Sequence, residues 1–118
     1  MLLLKGNPEP DGRPDARSVS AMGRYVKELT GAGVLLAAEG LLPTSTGARI
    51  RFARGGHRVV DGPVADSTEH IAGTFLIDVR SMAEAVEWAS RCPVEVTLAD
   101  GAVADIDIRQ AYEIPAAG

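Results

Sequence analysis

The alternation of apolar and polar residues along this chain predicts several short strands and two helices. Apolar or alternating runs, which are typical of strands, cover residues 1–5, 34–42, 48–53, 58–61, 70–79, 94–98 and 104–112. Apolar residues that recur at helical spacing predict helices over residues 15–30 and 81–91. The elements follow the order β-α-β, a hairpin closed by Gly55-Gly56, and β-α-β, with a turn at Asp100-Gly101 before the last strand.

Particular residues mark the ends and the buried faces of the helices. Ser81 is a good N-cap, Glu84 completes a capping box, and Pro93 stops the second helix. The predicted buried stripes consist of Val19, Met22, Tyr25, Val26 and Leu29 in the first helix and Met82, Ala85, Val86 and Ala89 in the second.

Two helices that connect strands of one mostly antiparallel sheet are typical of the split βαβ, ferredoxin-like α+β architecture. Both helices would lie on one face of the sheet. The run over 34–42 suits a central strand that is buried on both faces. Too few helices remain to cover the other sheet face, so we expect a homodimer with two sheets face to face. The whole chain, 1–118, is expected to form a single domain.

Composition and charge narrow the class of protein. Of the 118 residues, 46% are hydrophobic and 24% are charged, as expected of a folded globular domain. The net charge of −4 argues against nucleic acid or an anionic membrane as a partner. The one cysteine, Cys92, suits a reducing compartment. The apolar run at residues 1–4 is too short for a signal peptide or a membrane span, so a cytoplasmic location is expected.

The strongest turn signal, Asp61-Gly62-Pro63, provides the first candidate for chemistry. Asp61 is either a general base or polar anchor in a cleft, or an Asx turn that caps its own loop. Glu39 interrupts an apolar run upstream. It either lies in a pocket, where burial would raise its pKa and suit acid–base work, or is aimed at solvent by a bulge at Gly40.

Arg51 and the two histidines are further candidates. Arg51 could pair with Glu39, bind an anionic ligand bidentately, or stay a solvated charge. His70 opens a strand just after the turn, so a pair with Asp61 or Glu39 would be a proton-transfer dyad. His57 is expected at a solvated hairpin tip. The histidines lack the spacing of metal ligands, and no dinucleotide or phosphate fingerprint occurs, so neither a metal nor a cofactor is expected.

Six stretches of the chain resemble one family in the same order and spacing. They are 21–25 (AMGRY), 33–41 (GVLLAAEGL), 61–66 (DGPVAD), 71–75 (IAGTF), 87–93 (EWASRCP) and 106–110 (IDIRQ). The pattern resembles the YCII-related family, also called the DGPF domain family, over almost the whole chain. The resemblance implies a dimeric ferredoxin-like α+β barrel without a generally established function, with a His–Asp pair as the proposed active site of some members. Val64 departs from the family's usual phenylalanine, and Ser67 and Thr68 stand where charged residues are frequent.

Three functions are compatible with these residues. A homodimeric module would bind a small polar ligand in a cleft lined by Glu39, Arg51, Asp61 and His70. An acid–base enzyme, of lyase, isomerase or hydrolase type, would use Asp61 or Glu39 as base and His70 as its partner. A structural or regulatory dimerisation module would need no cleft. The binding module is the leading hypothesis, and whether the chain is an enzyme is left open.

Overall fold

The computed structural model describes residues 1–6, 15–42, 46–61, 70–97 and 103–112. They form a sheet, a layer of helices and a separate hairpin. In chain order the elements are β1 (Leu2–Lys5), α1 (Ala16–Gly31), β2 (Leu35–Gly40), β3 (Ala48–Ala53), β4 (Gly56–Asp61), β5 (Ile71–Ile77), α2 (Met82–Ser90) and β6 (Asp105–Ile108), with a 3-10 helix at Val94–Thr97.

The four-stranded sheet has the order β2-β5-β1-β6, and each neighbouring pair is antiparallel. α1 connects β1 to β2 with β5 between them, and α2 connects β5 to β6 with β1 between them. Both β-α-β units are therefore split, which confirms the predicted ferredoxin-like α+β architecture. In the described part of the chain, β3 and β4 pair only with each other, as a hairpin inserted between β2 and β5.

One face of the sheet packs against both helices and forms the core. The buried cluster consists of Leu2, Leu4, Tyr25, Leu29, Phe75, Ile77, Ala85, Ala89 and Cys92. Tyr25 meets Phe75 edge to face, with the ring centroids 5.3 Å apart. Its hydroxyl donates to the carbonyl of Trp88 at 2.8 Å, which ties α1 to α2 across the core. Burial raises the pKa of Tyr25 well above its ordinary value.

Both helices begin at side-chain caps. The backbone N–H of Ser18 donates to the Asp15 carboxylate at 2.8 Å, and this hydrogen bond lowers the pKa of Asp15. The backbone N–H of Glu84 donates to the Ser81 hydroxyl at 3.1 Å, as predicted. The Glu84 carboxylate accepts from the backbone N–H of Arg80, so the box closes one residue before the N-cap itself.

The predicted buried stripes of the helices are partly wrong. In α1, Val19 is 56% exposed, whereas Ser18 and Ala21 are buried. In α2, Met82 and Val86 are 52% and 48% exposed, and two alanines make the buried contact. Neighbouring positions on a helix differ by about 100° in direction. A small rotation of each helix therefore replaces branched or long side chains at the sheet with smaller ones that allow close packing.

Two predicted strands are also wrong in part. Residues 34–42 are predicted as a central strand, but β2 is an edge strand with five of its six residues exposed. The place beside β1 belongs to β5, which the split connection inserts there. Residues 94–98 are predicted as a strand, but Val94–Thr97 form a 3-10 helix. The N–H of Val96 donates to the Pro93 carbonyl at 3.3 Å, so this segment curls. The predicted turn at 100–101 lies outside the described residues.

Candidate functional site

The sheet face that points away from the helices carries one of the predicted site residues, Glu39. Cross-strand register aligns Glu39, Thr74, Leu3 and Asp107 in one row. The adjacent row contains the fully buried Leu2, so the Glu39 row faces the other way. We call the surface that carries this row the open face. Neither described helix packs on it, because both contact the core face.

The open face combines an apolar centre with charged margins. The Lys5 ammonium forms an ion pair with the Asp107 carboxylate at 2.7 Å, with side chains 17% and 48% exposed. Leu3 and Leu76, on the two middle strands, are half-buried. Sites for small molecules combine apolar and polar groups in this way, but they are concave, so the open face would need a second wall to form one. Sequence reasoning did not include Lys5, Thr74 or Asp107 in the site, because the order of the strands brings them together and the alternation within each strand does not reveal that order.

Glu39 is held at the edge of this face by a close backbone approach. Its side chain is exposed. A Cβ built on Gly73 would lie 3.0 Å from the Glu39 carbonyl oxygen, so glycine allows β2 to approach β5 at this point. The predicted bulge lies earlier in the strand, between Leu35 and Ala37, and not at Gly40.

His70 has a buried nitrogen with no partner. Its backbone carbonyl accepts the N–H of Gly6 at 3.0 Å, which fixes the start of β5 beside the end of β1. Its Nε2 is buried and has no hydrogen-bond partner among the residues that the structure describes. The large majority of buried polar side-chain atoms in proteins have a partner. Among the predicted site residues whose side chains the structure describes, His70 therefore has a buried nitrogen that is available for a hydrogen bond.

Two carboxylates, Glu39 and Asp61, are predicted as partners of His70, and the structure describes the side chain of Glu39 only. Glu39 lies opposite Thr74, four residues along β5 from His70. Four residues of strand span about 13 Å, so Glu39 and His70 are not in contact within one protomer. The Asp61 backbone pairs with Ala48 at the base of the hairpin. Its side chain and residues 62–69, including the positions of Val64, Ser67 and Thr68, lie outside the described part of the structure.

Arg51 is separated from the open face because it belongs to the hairpin. It lies directly opposite Arg58, and both side chains are exposed. No acidic side chain of the described residues forms an ion pair with Arg51. His57, near the hairpin tip as predicted, contacts the Phe52 ring with centroids 5.6 Å apart. The Glu39–Arg51 pair is thus not formed within one protomer.

The helix layer contains a buried cysteine and a contact between an arginine and a tryptophan. Burial raises the pKa of Cys92 to about 11, so its thiol stays protonated near neutral pH. The Arg91 guanidinium lies 5.0 Å above the Trp88 ring in a shallow groove on α2.

Among the described residues no group of three or more His, Cys, Asp or Glu side chains could hold a metal ion. No described helix is long and apolar enough to cross a membrane.

Comparison with known proteins finds a matching family model and a relative that is similar over part of its length. The model of the YCII-related domain matches residues 1–111. An uncharacterised protein of Rhizobium meliloti (strain 1021) is 38% identical over 73 residues, which are 62% of this chain and 56% of that protein. The match thus spans only about half the length of this curated relative, whose name assigns it no activity.

Proposed function

The chain belongs to the YCII-related family, and we propose that it acts as a homodimer that binds a small polar ligand. The ligand would lie in a cleft between the open face and a second copy, close to His70 and the Asp61 turn. A cytoplasmic location and the absence of a nucleic-acid partner stay predictions from the cysteine count and the net charge.

The observation that carries this proposal is the unpartnered Nε2 of His70. Leaving a buried polar atom without a hydrogen bond costs about 1–3 kcal/mol. Because Nε2 is buried already in the protomer, a ligand would reach it by displacing neighbouring side chains, and a hydrogen bond to it would then recover that free energy. Because an imidazole nitrogen can be donor or acceptor, hydroxyl, carboxylate and amide groups are all suitable partners.

The open face supports the proposal because its centre is apolar and its margins are polar. Glu39 and Thr74 lie in the same cross-strand row, with the Lys5–Asp107 ion pair at the opposite edge. In a single protomer this surface is too open to enclose a small molecule. A second copy would supply the missing wall and exclude water, which strengthens polar contacts to a ligand.

An acid–base enzyme is the second candidate, and the same nitrogen of His70 favours it. An imidazole that is not already hydrogen-bonded is available to transfer a proton, with the Asp61 carboxylate as its predicted partner. Arg51 would bind an anionic group of the substrate only if the hairpin reached the cleft. A third candidate, a dimerisation module without a ligand, would leave this nitrogen without a role.

The two histidines provide a matched test. We would measure thermal unfolding with a panel of carboxylic acids, amino acids, sugars and phosphate esters at millimolar concentration. A ligand present at about 100 times its dissociation constant stabilises the protein by about 2.7 kcal/mol. We expect at least one class to stabilise the wild type and His57→Gln, but not His70→Gln. Equal stabilisation of both variants, or none of the wild type by any class, would contradict the proposal.

A second readout separates binding from catalysis. Nitrogen-detected NMR of the imidazole would follow the Nε2 resonance of His70 during a titration with the stabilising compound. A shift of that resonance with the compound unchanged over hours supports a binding module. Conversion of the compound by the wild type, lost in Asp61→Asn and His70→Gln, would establish the acid–base enzyme in its place.

A further inference from the structure

One apolar face of the β3–β4 hairpin is exposed, and no residue that the structure describes covers it. Cross-strand pairing places Ile50 opposite Val59 and Phe52 opposite His57 on this face. Ile50, Val59 and Phe52 are 53%, 60% and 76% exposed. The hairpin forms its own two-stranded sheet, and every residue of β3 is exposed. We call the surface of Ile50, Phe52 and Val59 the arm face.

The opposite face of the hairpin is cationic. Arg51 and Arg58 lie directly across from each other, and Arg49 shares their face. Like charges that face each other across a strand pair destabilise it. An isolated two-stranded hairpin is already marginal in water. Packing by another chain would cover the apolar face that the described residues leave exposed.

The distribution of charge favours a second copy of this chain as that partner. Residues 48–61 contain four arginines and one aspartate, a net charge of +3. The rest of the chain then carries −7, because eight basic and fifteen acidic residues remain of the totals of 12 and 16. A cationic hairpin is attracted to the anionic body of another copy. Nucleic acid would be repelled by that body, although the hairpin alone would attract it.

The edge of the sheet offers the receiving surface. β2 is the outermost strand of the sheet, and Leu36 is 62% exposed there. Leu41 and Leu42, which follow β2 toward the hairpin, are 49% and 76% exposed. An exposed apolar edge strand promotes aggregation unless something covers it. In a two-fold dimer each copy would provide one arm and one edge, so both surfaces would be covered and the assembly would close.

We propose that the β3–β4 hairpin is an arm of the homodimer, whose arm face packs on β2 and residues 41–42 of the second copy. This inference rests on the proposed homodimer and adds an interface that the open face does not require. It also gives the exposed leucines of the edge strand a role.

Sedimentation equilibrium of the full chain tests the arm with a matched control. Phe52→Ala removes the largest side chain of the arm face, and Tyr112→Ala removes another exposed aromatic ring, 96% exposed, outside the hairpin. We expect Phe52→Ala to raise the dimer dissociation constant about 10- to 100-fold, as for a buried aromatic at an interface, and Tyr112→Ala to change it less than about twofold. Because Phe52 packs only on His57 among the described rings, circular dichroism should show both variants folded.

Photo-crosslinking then locates the receiving surface. A benzophenone amino acid in place of Phe52 should form crosslinks between protomers that map to the peptide containing residues 35–42. Crosslinks confined to one protomer, or a dimer constant unchanged by Phe52→Ala, would overturn the arm. If Phe52→Ala had no effect but Leu76→Glu on the open face abolished the dimer, the arm would be wrong and the proposed homodimer would stand. A monomeric wild type would contradict both the homodimer and the arm. If that monomer bound a DNA duplex and the binding depended on the hairpin, the hairpin would be a nucleic-acid-binding element.

Discussion

Two glycines in this protein should respond in opposite directions to the same substitution. Gly73 lies in β5, where an added Cβ would be 3.0 Å from the Glu39 carbonyl oxygen and 3.8 Å from the Gly40 Cα. The contact with the Glu39 carbonyl oxygen is tight and is with backbone, so β2 would have to shift slightly, whereas the contact with Gly40 is an ordinary one. Gly23 lies inside α1, exposed, and a Cβ there would have nothing within 4 Å. Gly23 is thus not required by a close approach of another element in the described structure.

The expected free energies follow from these contacts. Overpacking of a tight site costs about 1–3 kcal/mol. Replacing glycine within a strand recovers about 0.5–1 kcal/mol of backbone entropy. We therefore expect Gly73→Ala to lower the free energy of unfolding by about 1 kcal/mol, the difference between the middle values of these two ranges. Gly23→Ala should raise it by up to about 1 kcal/mol, the difference in helix propensity between the two residues.

Urea unfolding followed by circular dichroism measures both variants at one fixed protein concentration, since a dimer's stability depends on concentration. Amide NMR shifts report whether Gly73→Ala displaces β2, and the displacement should be largest at Glu39 and Gly40. If Gly73→Ala were as stable as the wild type, β2 and β5 would not approach as closely as the structure requires. If Gly23→Ala were destabilising, α1 would have a neighbour on its exposed face.

The remaining predictions concern the core. Tyr25→Phe removes the hydrogen bond to the Trp88 carbonyl, which still accepts from the N–H of Arg91, and should lower the free energy of unfolding by about 1 kcal/mol in urea titrations; no change would place the hydroxyl in water. The pKa of Cys92 is raised from 9.0 to about 11 by burial, so the unfolded chain loses this proton first and stability should fall as pH rises from about 9 to about 11. Cys92→Ala should flatten that fall between about pH 9 and pH 10, above which the buried Tyr25 also lowers stability, whereas an equally steep loss below pH 10 would assign it to other groups. Thiol reagents at pH 8 should label Cys92 only as fast as the protein opens, and rapid labelling of the folded protein would contradict its burial.

Much of the fold can be predicted from local patterns, because alternation and capping are properties of neighbouring residues. The alternation of Phe75 and Ile77 with Thr74 and Leu76 correctly separates the core face from the open face of β5. Ser81 correctly marks the start of α2. These signals are local, so no knowledge of the strand order is needed to interpret them.

The predictions that the structure contradicts depend on how the elements pack in three dimensions. The apolar run at 34–42 indicates a buried strand, but its place at the edge of the sheet depends on α1 crossing past β5. The proposed second copy would cover its exposed leucines. Pro93 correctly ends α2, but the next residues turn into a 3-10 helix, because the Pro93 carbonyl accepts a hydrogen bond from Val96.

The candidate site also has features that the sequence reveals and features that depend on packing. His70 could be selected from the sequence, since a histidine after a turn and before a strand is a plausible proton carrier. Its buried, unpartnered nitrogen could not be predicted, because that depends on the packing around the start of β5. The Lys5–Asp107 pair needs β1 and β6 to be neighbours, which no pattern within either strand reveals.

Sedimentation equilibrium at micromolar concentration tests most directly whether a second copy covers the open face. With a chain mass of 12.3 kDa, a dimer of about 25 kDa is predicted for the wild type. Leu76→Glu, which places a charge in the middle of the open face, should shift the mass to that of one chain while circular dichroism stays native. A wild type that sediments at 12.3 kDa would contradict the homodimer and the cleft that depends on it.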